Sequence, residues 1–242
     1  MSTVRGARER ARIEVTAAIK DEARRQLAAE GAAKLSLRAV ARELGMASSA
    51  LYRYFPSRDD LLTTLIVDAY DAVGESAEAA HRAARAEGAP HLERWASVAR
   101  AVRGWALAHP HEYALIYGSP VPGYTAPQAT IGPAARVGLV LISIVGDAYR
   151  EDGLAVPPLA DELRAEAGRM AAEFAPDLPP GVAVPLIAAW AQLFGLVSFE
   201  VFGQFHRVVE ARDDFFLAAV TELARGVGLL GPRGGGRTSP RP

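Results

Sequence analysis

Between Gly45 and Pro56 the chain reads GMASSALYRYFP, a segment that gathers Ser48, Ser49, Tyr52, Arg53 and Tyr54 around Leu51 and Phe55. Serine and tyrosine hydroxyls both give and accept hydrogen bonds, and a guanidinium offers a rigid fork of donors. That set suits a surface of phosphates and base edges. On a helix Leu51 and Phe55 stand one turn apart and share the buried side, which leaves Ser48, Ser49, Tyr52 and Arg53 on the other. Small residues at the helix start allow close entry into a DNA major groove, where Arg53 can fork onto guanine. Tyr52 and Tyr54, two residues apart, cannot both point inward.

Other chemistry is sparse. His109-Pro-His111 pairs two imidazoles with Glu112 as the neighbouring carboxylate, a poor basis for a metal site. No G-x-S-x-G, Walker loop or H-E-x-x-H occurs, so neither an enzyme nor a cofactor is expected. The chain has no cysteine, which excludes disulfides and thiolate metal sites and fits a reducing cytosol. The N-terminus is charged and lacks a signal-peptide core, so the expected location is cytoplasmic. Val184 to Phe199 is uncharged, but it is short of the ~20 apolar residues of a span and runs into Glu200. A buried or subunit-facing helix is expected there, without membrane contact.

Charge divides the chain more sharply than its overall −1 suggests. Residues 1–58 hold twelve Lys and Arg against six Asp and Glu, +6, so the remainder carries −7. A basic head on an acidic body points the head toward a polyanion.

The elements that position these residues are helical, because Ala, Leu, Arg and Glu dominate and β-branched residues form no alternating runs. An all-α fold of about ten helices is predicted. Residues 7–30 place Ile19, Ala23 and Leu27 on one face before a left-handed stop at Gly31. Ser36 can cap a helix over 37–44 with Leu37, Val40, Ala41 and Leu44 inward, and Gly45 ends it. A third helix follows over 48–55, halted by Pro56. Ser57 and Asp60 form a capping box for a long helix to about residue 87. Beyond it the periodicity predicts helices over 91–108, 111–117, 134–152, 158–174, 183–209 and 213–230, with a Pro/Gly-rich loop at 118–133. The predicted domains are 1–58 and 59–230, and 231–242 is expected to be a flexible tail.

LSLRAVARELGMASSALYRYFPSRDDLL, residues 35–62, closely resembles the DNA-binding region of the TetR (tetracycline-repressor-like) family. The resemblance implies that Ser36 and Arg38 open the second helix toward phosphate or a base edge. Ser48, Ser49, Tyr52 and Arg53 match base- and backbone-facing sites of the recognition helix, and Tyr54 and Arg58 match phosphate-gripping positions. Tyr54 stands where histidine is commoner, a swap that keeps a donor. Arg5, Arg8, Arg10 and Arg12 precede the usual family start and suit either a minor-groove arm or a solvated helix.

The family also implies a larger helical domain that dimerises through its last two long helices, here near 183–209 and 213–230, around a small-molecule pocket. Trp105, His109 and Gly118 resemble the Trp-His-Gly (WHG) set of one subgroup. Trp105, Tyr113, Tyr117, Met170, Trp190, Phe194, Phe199 and Phe202, with His206 as a polar tip, are candidate lining for an apolar cavity. The expected protein is a homodimeric regulator, in the first instance a repressor, that binds a palindromic double-stranded operator and is released by an unknown small apolar effector. The alternative is a helical small-molecule or partner-binding module without specific DNA binding.

Overall fold

The computed structural model describes residues 2–151 and 153–230. The expected tail at 231–242 and the side chain of Arg5 lie outside the described residues. Within them run ten α-helices: α1 Ser2–Glu30, α2 Leu37–Glu43, α3 Ser48–Leu51, α4 Arg58–Ala86, α5 His91–Ala108, α6 Pro110–Tyr117, α7 Ile131–Arg150, α8 Arg164–Phe174, α9 Pro180–Val201 and α10 Arg212–Val227. Among the described residues the only strand-like pairing is one antiparallel bridge, Leu154 to Leu229. The fold is all-α.

The chain forms two compact units. The first comprises the residues up to Ala72 together with Ala106–Ala134. Its core joins Ile19, Ala23 and Leu27 of α1 to Leu37, Val40 and Ala41 of α2, Leu51 of α3, and Leu61, Leu62 and Leu65 of α4. Burying such side chains contributes about 1.5–3 kcal/mol each, and here it compensates for helices too short to persist alone. Arg24 reinforces the unit, donating to Asp68 at 2.9 Å and to Glu112 at 3.2 Å.

Polar caps fix where these helices begin. The Ser36 hydroxyl accepts from the Ala39 amide at 3.4 Å, and Ser57 accepts from the Asp60 amide at 3.1 Å while donating to its carboxylate at 2.7 Å. Gly45 turns left-handed at φ 64°, so the Met46 amide reaches back to Ala41 O at 2.8 Å and α2 stops.

The second unit comprises Val73–Trp105 and the described residues from Ala135 to Leu230. Buried ion pairs tie its helices. Arg103 of α5 donates to both oxygens of Glu200 on α9, at 2.6 and 2.7 Å, and lies 5.1 Å from the Phe216 ring centre on α10. Arg94 of α5 donates to Asp147 of α7, both side chains being nearly inaccessible. α7 and α9 are each long and apolar enough to cross a bilayer by length and composition alone. Each also carries a buried carboxylate paired to an arginine of α5.

Several boundaries differ from the sequence expectation. The third helix is regular only over Ser48–Leu51 rather than 48–55. Arg53 and Tyr54 bond back three residues, to Ala50 O at 3.2 Å and Leu51 O at 2.8 Å, because Pro56 disfavours α geometry in the residue before it and the last turn tightens. α9 ends at Val201, not 209. There Gly203 adopts φ 79° and the Gln204 amide closes onto Phe199 O at 2.7 Å. α8 begins at Arg164 rather than 158, following Pro157, Pro158 and a short 3-10 turn over Asp161–Leu163.

Candidate nucleic-acid interface

α2 and α3, joined through the Gly45 turn, form a helix-turn-helix. Leu51 is fully buried and Phe55 nearly so, while Ser48, Ser49, Tyr52 and Arg53 are exposed, Tyr52 to 43%. The core thus clamps one side of the short helix and turns its hydroxyl and guanidinium edge outward. Arg38 is exposed on α2, and Ser36 is partly buried in its capping role. Arg42, one turn beyond Arg38, adds a second exposed guanidinium that the sequence reading passed over. The i, i+4 spacing of the two arginines was the available signal. The Gly6–Glu14 stretch of α1, with Arg8, Arg10 and Arg12, is outside the core and mostly exposed.

Tyr54 and Arg58 sit differently. Tyr54 is partly buried against the core of the first unit. Arg58 donates to Ala32 O at 2.8 Å, Leu35 O at 3.1 Å and Ala33 O at 3.3 Å, and pairs with Asp59 at 3.4 Å. It ties the start of α4 to the connection between α1 and α2, and so positions the helix-turn-helix. Arg58→Ala is expected to destabilise the protein by about 1.5 kcal/mol, the low end for bonds made by a charged donor, since the side chain is partly solvated. Thermal unfolding tests this, and an unchanged midpoint would remove the clamp.

Comparison with known proteins agrees with this geometry. A model of the bacterial regulatory proteins of the tetR family matches residues 19–65. A second model, the tetracyclin repressor-like C-terminal domain, matches residues 95–223, more than half of the chain.

The chain belongs to the TetR family.

Several relatives match most of its length. The HTH-type transcriptional regulator Rv1816 of Mycobacterium tuberculosis is 42% identical over 211 residues, 83% of this chain and 86% of the relative. The HTH-type transcriptional regulator Mb1846 of Mycobacterium bovis matches with the same identity and coverage. The solved structure of the regulatory protein SCO4313 superposes with a TM-score of 0.73 at 37% identity, over 89% of this chain and 97% of that one. The TetR-family regulator PfmR of Thermus thermophilus shares the fold, with a TM-score of 0.57 at 17% identity, over 86% of this chain and 97% of its own. This TetR-family chain is therefore a DNA-binding transcriptional regulator and not an enzyme.

The candidate pocket residues are dispersed in this TetR-family fold. Tyr113 and Tyr117 belong to the first unit, where their rings lie 5.1 Å apart and Tyr117 meets Tyr70 edge-on at 5.9 Å. Burial, with Tyr70 and Tyr113 beside it, pushes the Tyr117 phenol far above the ordinary tyrosine range. In the second unit Trp105 and Phe194 are buried, whereas Phe199, Phe202 and His206 are exposed at or beyond the end of α9. Met170 and Trp190 come together in an apolar cleft. Of the Trp-His-Gly resemblance, His109 stands at the N-cap of α6 and Gly118 at its C-cap. A Cβ on Gly118 would lie 2.3 Å from Ala114 O, so close packing requires glycine there.

Proposed function

We propose that the chain acts in the cytoplasm as a homodimeric, ligand-responsive repressor on a palindromic operator. One observation carries the reading: Ser48, Ser49, Tyr52 and Arg53 are exposed on α3 and the tightened turn that ends it, whose other side is locked by Leu51 and Phe55. A backbone anchored in this way presents these side chains from a fixed place on the surface. Arg53 is assigned to base recognition. Ser36, Arg38, Ser48, Ser49, Tyr52 and Tyr54 share the remaining base-edge and phosphate contacts, and Arg58 acts on phosphate or through the connection that it clamps.

The dimer reading rests on α9 and α10. Ala188, Ala191, Phe199 and Phe202 are exposed at helical spacing along α9 and its C-terminal turn, and Phe215 and Leu217 are exposed on α10. Small residues early in that stripe admit a second helix closely, while the phenylalanines supply apolar area too large to be left in water without purpose. Two heads related by a two-fold axis and spaced about 34–36 Å apart read half-sites in successive major grooves. An effector that favours another spacing lowers operator affinity by its differential binding to the two states.

Selection of bound duplexes from a random pool tests the reading. Enrichment of an inverted repeat is expected, and a pool that stays random would leave the helical binding module as the function. A quantitative companion uses salt. Arg38→Ala is expected to weaken operator and random duplex alike and to reduce the slope of log affinity against log salt by about 1. An unchanged slope would take Arg38 off the phosphates.

A further inference from the structure

The second unit holds a cleft of about 240 Å³ walled by α7, α8 and α9. Gly138 and Ile142 line it from α7, Met170 and Phe174 from α8, and Ile187 and Trp190 from α9. Its floor includes Leu141, fully buried, and Leu186, nearly so. None of the lining residues is charged, and the Trp190 indole N–H is the only side-chain polar hydrogen among them. Phe194 meets Trp190 edge-on at 6.0 Å and holds the indole in place. Leu139, Phe174 and Trp190 are 54%, 54% and 37% exposed, which is unfavourable for an empty cleft and favourable for an occupied one.

We infer that this cleft is a binding site for an uncharged hydrocarbon or aromatic small molecule. At ~30 Å³ per water it has room for about eight, the volume of a short alkyl chain or a small ring system rather than of a peptide helix ~10 Å across. A carboxylate or ammonium carried into it would lose its hydration without gaining a partner, and the lining therefore rejects charge. Met170, an adaptable thioether, and the flat indole of Trp190 favour shape tolerance over hydrogen-bond specificity.

The site deepens the effector reading and rests on it for its regulatory meaning. On α9 the cleft-lining residues Ala183, Leu186, Ile187 and Trp190 occupy one side of the helix. The exposed stripe of Ala188, Ala191 and Phe199 lies on the opposite side, its centre roughly 140° away at 3.6 residues per turn. A ligand wedged under α9 therefore bears on the same rigid rod that carries the proposed dimer contact.

Gly138 supplies the test. A Cβ built there meets no atom within 4 Å, so a larger side chain can enter the cleft without displacing the helix. Binding of N-phenyl-1-naphthylamine, an uncharged fluorophore, is measured on the full-length protein without DNA. Wild type is expected to bind it and to release it to 1-decanol, with decanoate and decylammonium at least about tenfold weaker as competitors. Gly138→Leu and Ile142→Phe are expected to lower probe affinity more than about tenfold at an undiminished thermal midpoint. Gly104→Leu on α5, an equally open helical glycine outside the lining, is the control and should leave binding intact. No binding by wild type, or equal binding by both filled variants, would overturn the site. Decanoate competing as well as 1-decanol would overturn the ligand class. Operator binding is measured separately. Probe binding that the filled variants abolish, with no change in operator affinity, would support the site and sink the effector reading instead.

Discussion

Replacing Arg53 by alanine is expected to lower affinity for the selected operator about 10- to 100-fold while changing affinity for random duplex no more than about threefold. The asymmetry follows from the position of the side chain. Arg53 lies in the tightened turn that ends α3, exposed beside Tyr52, while its neighbours Leu51 and Phe55 anchor the backbone. A guanidinium projecting from a fixed backbone can form two parallel bonds to guanine O6 and N7, and a bidentate pair of that kind is worth about 1–3 kcal/mol of discrimination. Phosphate contact alone would give an equal loss on every sequence. Arg53→Lys separates the two effects, because it keeps the charge and loses the fork, so operator preference should fall nearly as far as in the alanine variant while non-specific binding stays at the wild-type level. Fluorescence anisotropy with labelled operator and scrambled duplex, at one fixed salt concentration, reads both quantities. Equal losses on the two duplexes would remove Arg53 from base recognition.

Much of this head was legible in the sequence because its determinants are local. Leu51 and Phe55 stand one turn apart, and the Ser57–Asp60 pair and the glycine at 45 act within four residues; the structure shows the first two buried, the pair hydrogen-bonded and the helix ended at the glycine, as expected. The end of α9 was hidden for the opposite reason. The apolar pattern continues through VFGQF, and only the backbone shows Gly203 turning left-handed. The carbonyls of Ala32 and Leu35 that receive Arg58 stand more than twenty residues earlier, and backbone oxygens leave no mark in a sequence. Of the cleft, Met170 and Trp190 were nameable from residue type. Gly138 and Ile142 were not, since a cavity is defined by the side-chain volume that three separate helices leave unfilled.

The ion pairs of the second unit were the least legible feature, and they carry the largest expected stability effect. Asp147 is 3% exposed and Arg94 4%, the two standing 53 residues apart in sequence, with Arg85 and Arg150 also directed at the carboxylate. Asp147→Ala is expected to cost about 3–5 kcal/mol, because it strands a buried guanidinium without its counter-charge. For a chain of this length that is a fall of roughly 6–20 °C in thermal midpoint. Arg94→Met combined with Asp147→Leu should recover most of the loss, since it leaves no buried charge without its counter-charge, Arg85 and Arg150 being solvated.

The same cluster gives a pH dependence with two windows. Burial pulls the Asp147 carboxyl upward, but the Arg94 hydrogen bond and the charges of Arg94 and Arg85 outweigh it and hold its pKa below the usual 3.8. A depressed carboxylate contributes stability above its unfolded pKa and loses it as pH falls through the folded one, so that contribution fades only below about 4. His81, which faces Arg94 at 3.4 Å, is shifted the other way in charge terms: burial, then Arg94, keep its imidazole neutral, with Asp147 opposing, so its pKa lies below 6.5. The unfolded chain then binds the extra proton first, and stability declines as pH drops below about 6.5. Asp147→Ala removes the one anion that favours His81 protonation. Its stability should therefore lose Asp147's share of the fall below pH 4, that of Glu78 remaining, and keep or deepen the decline below 6.5. A variant that melts within a degree or two of wild type at neutral pH would show that Asp147 does not hold this cluster together.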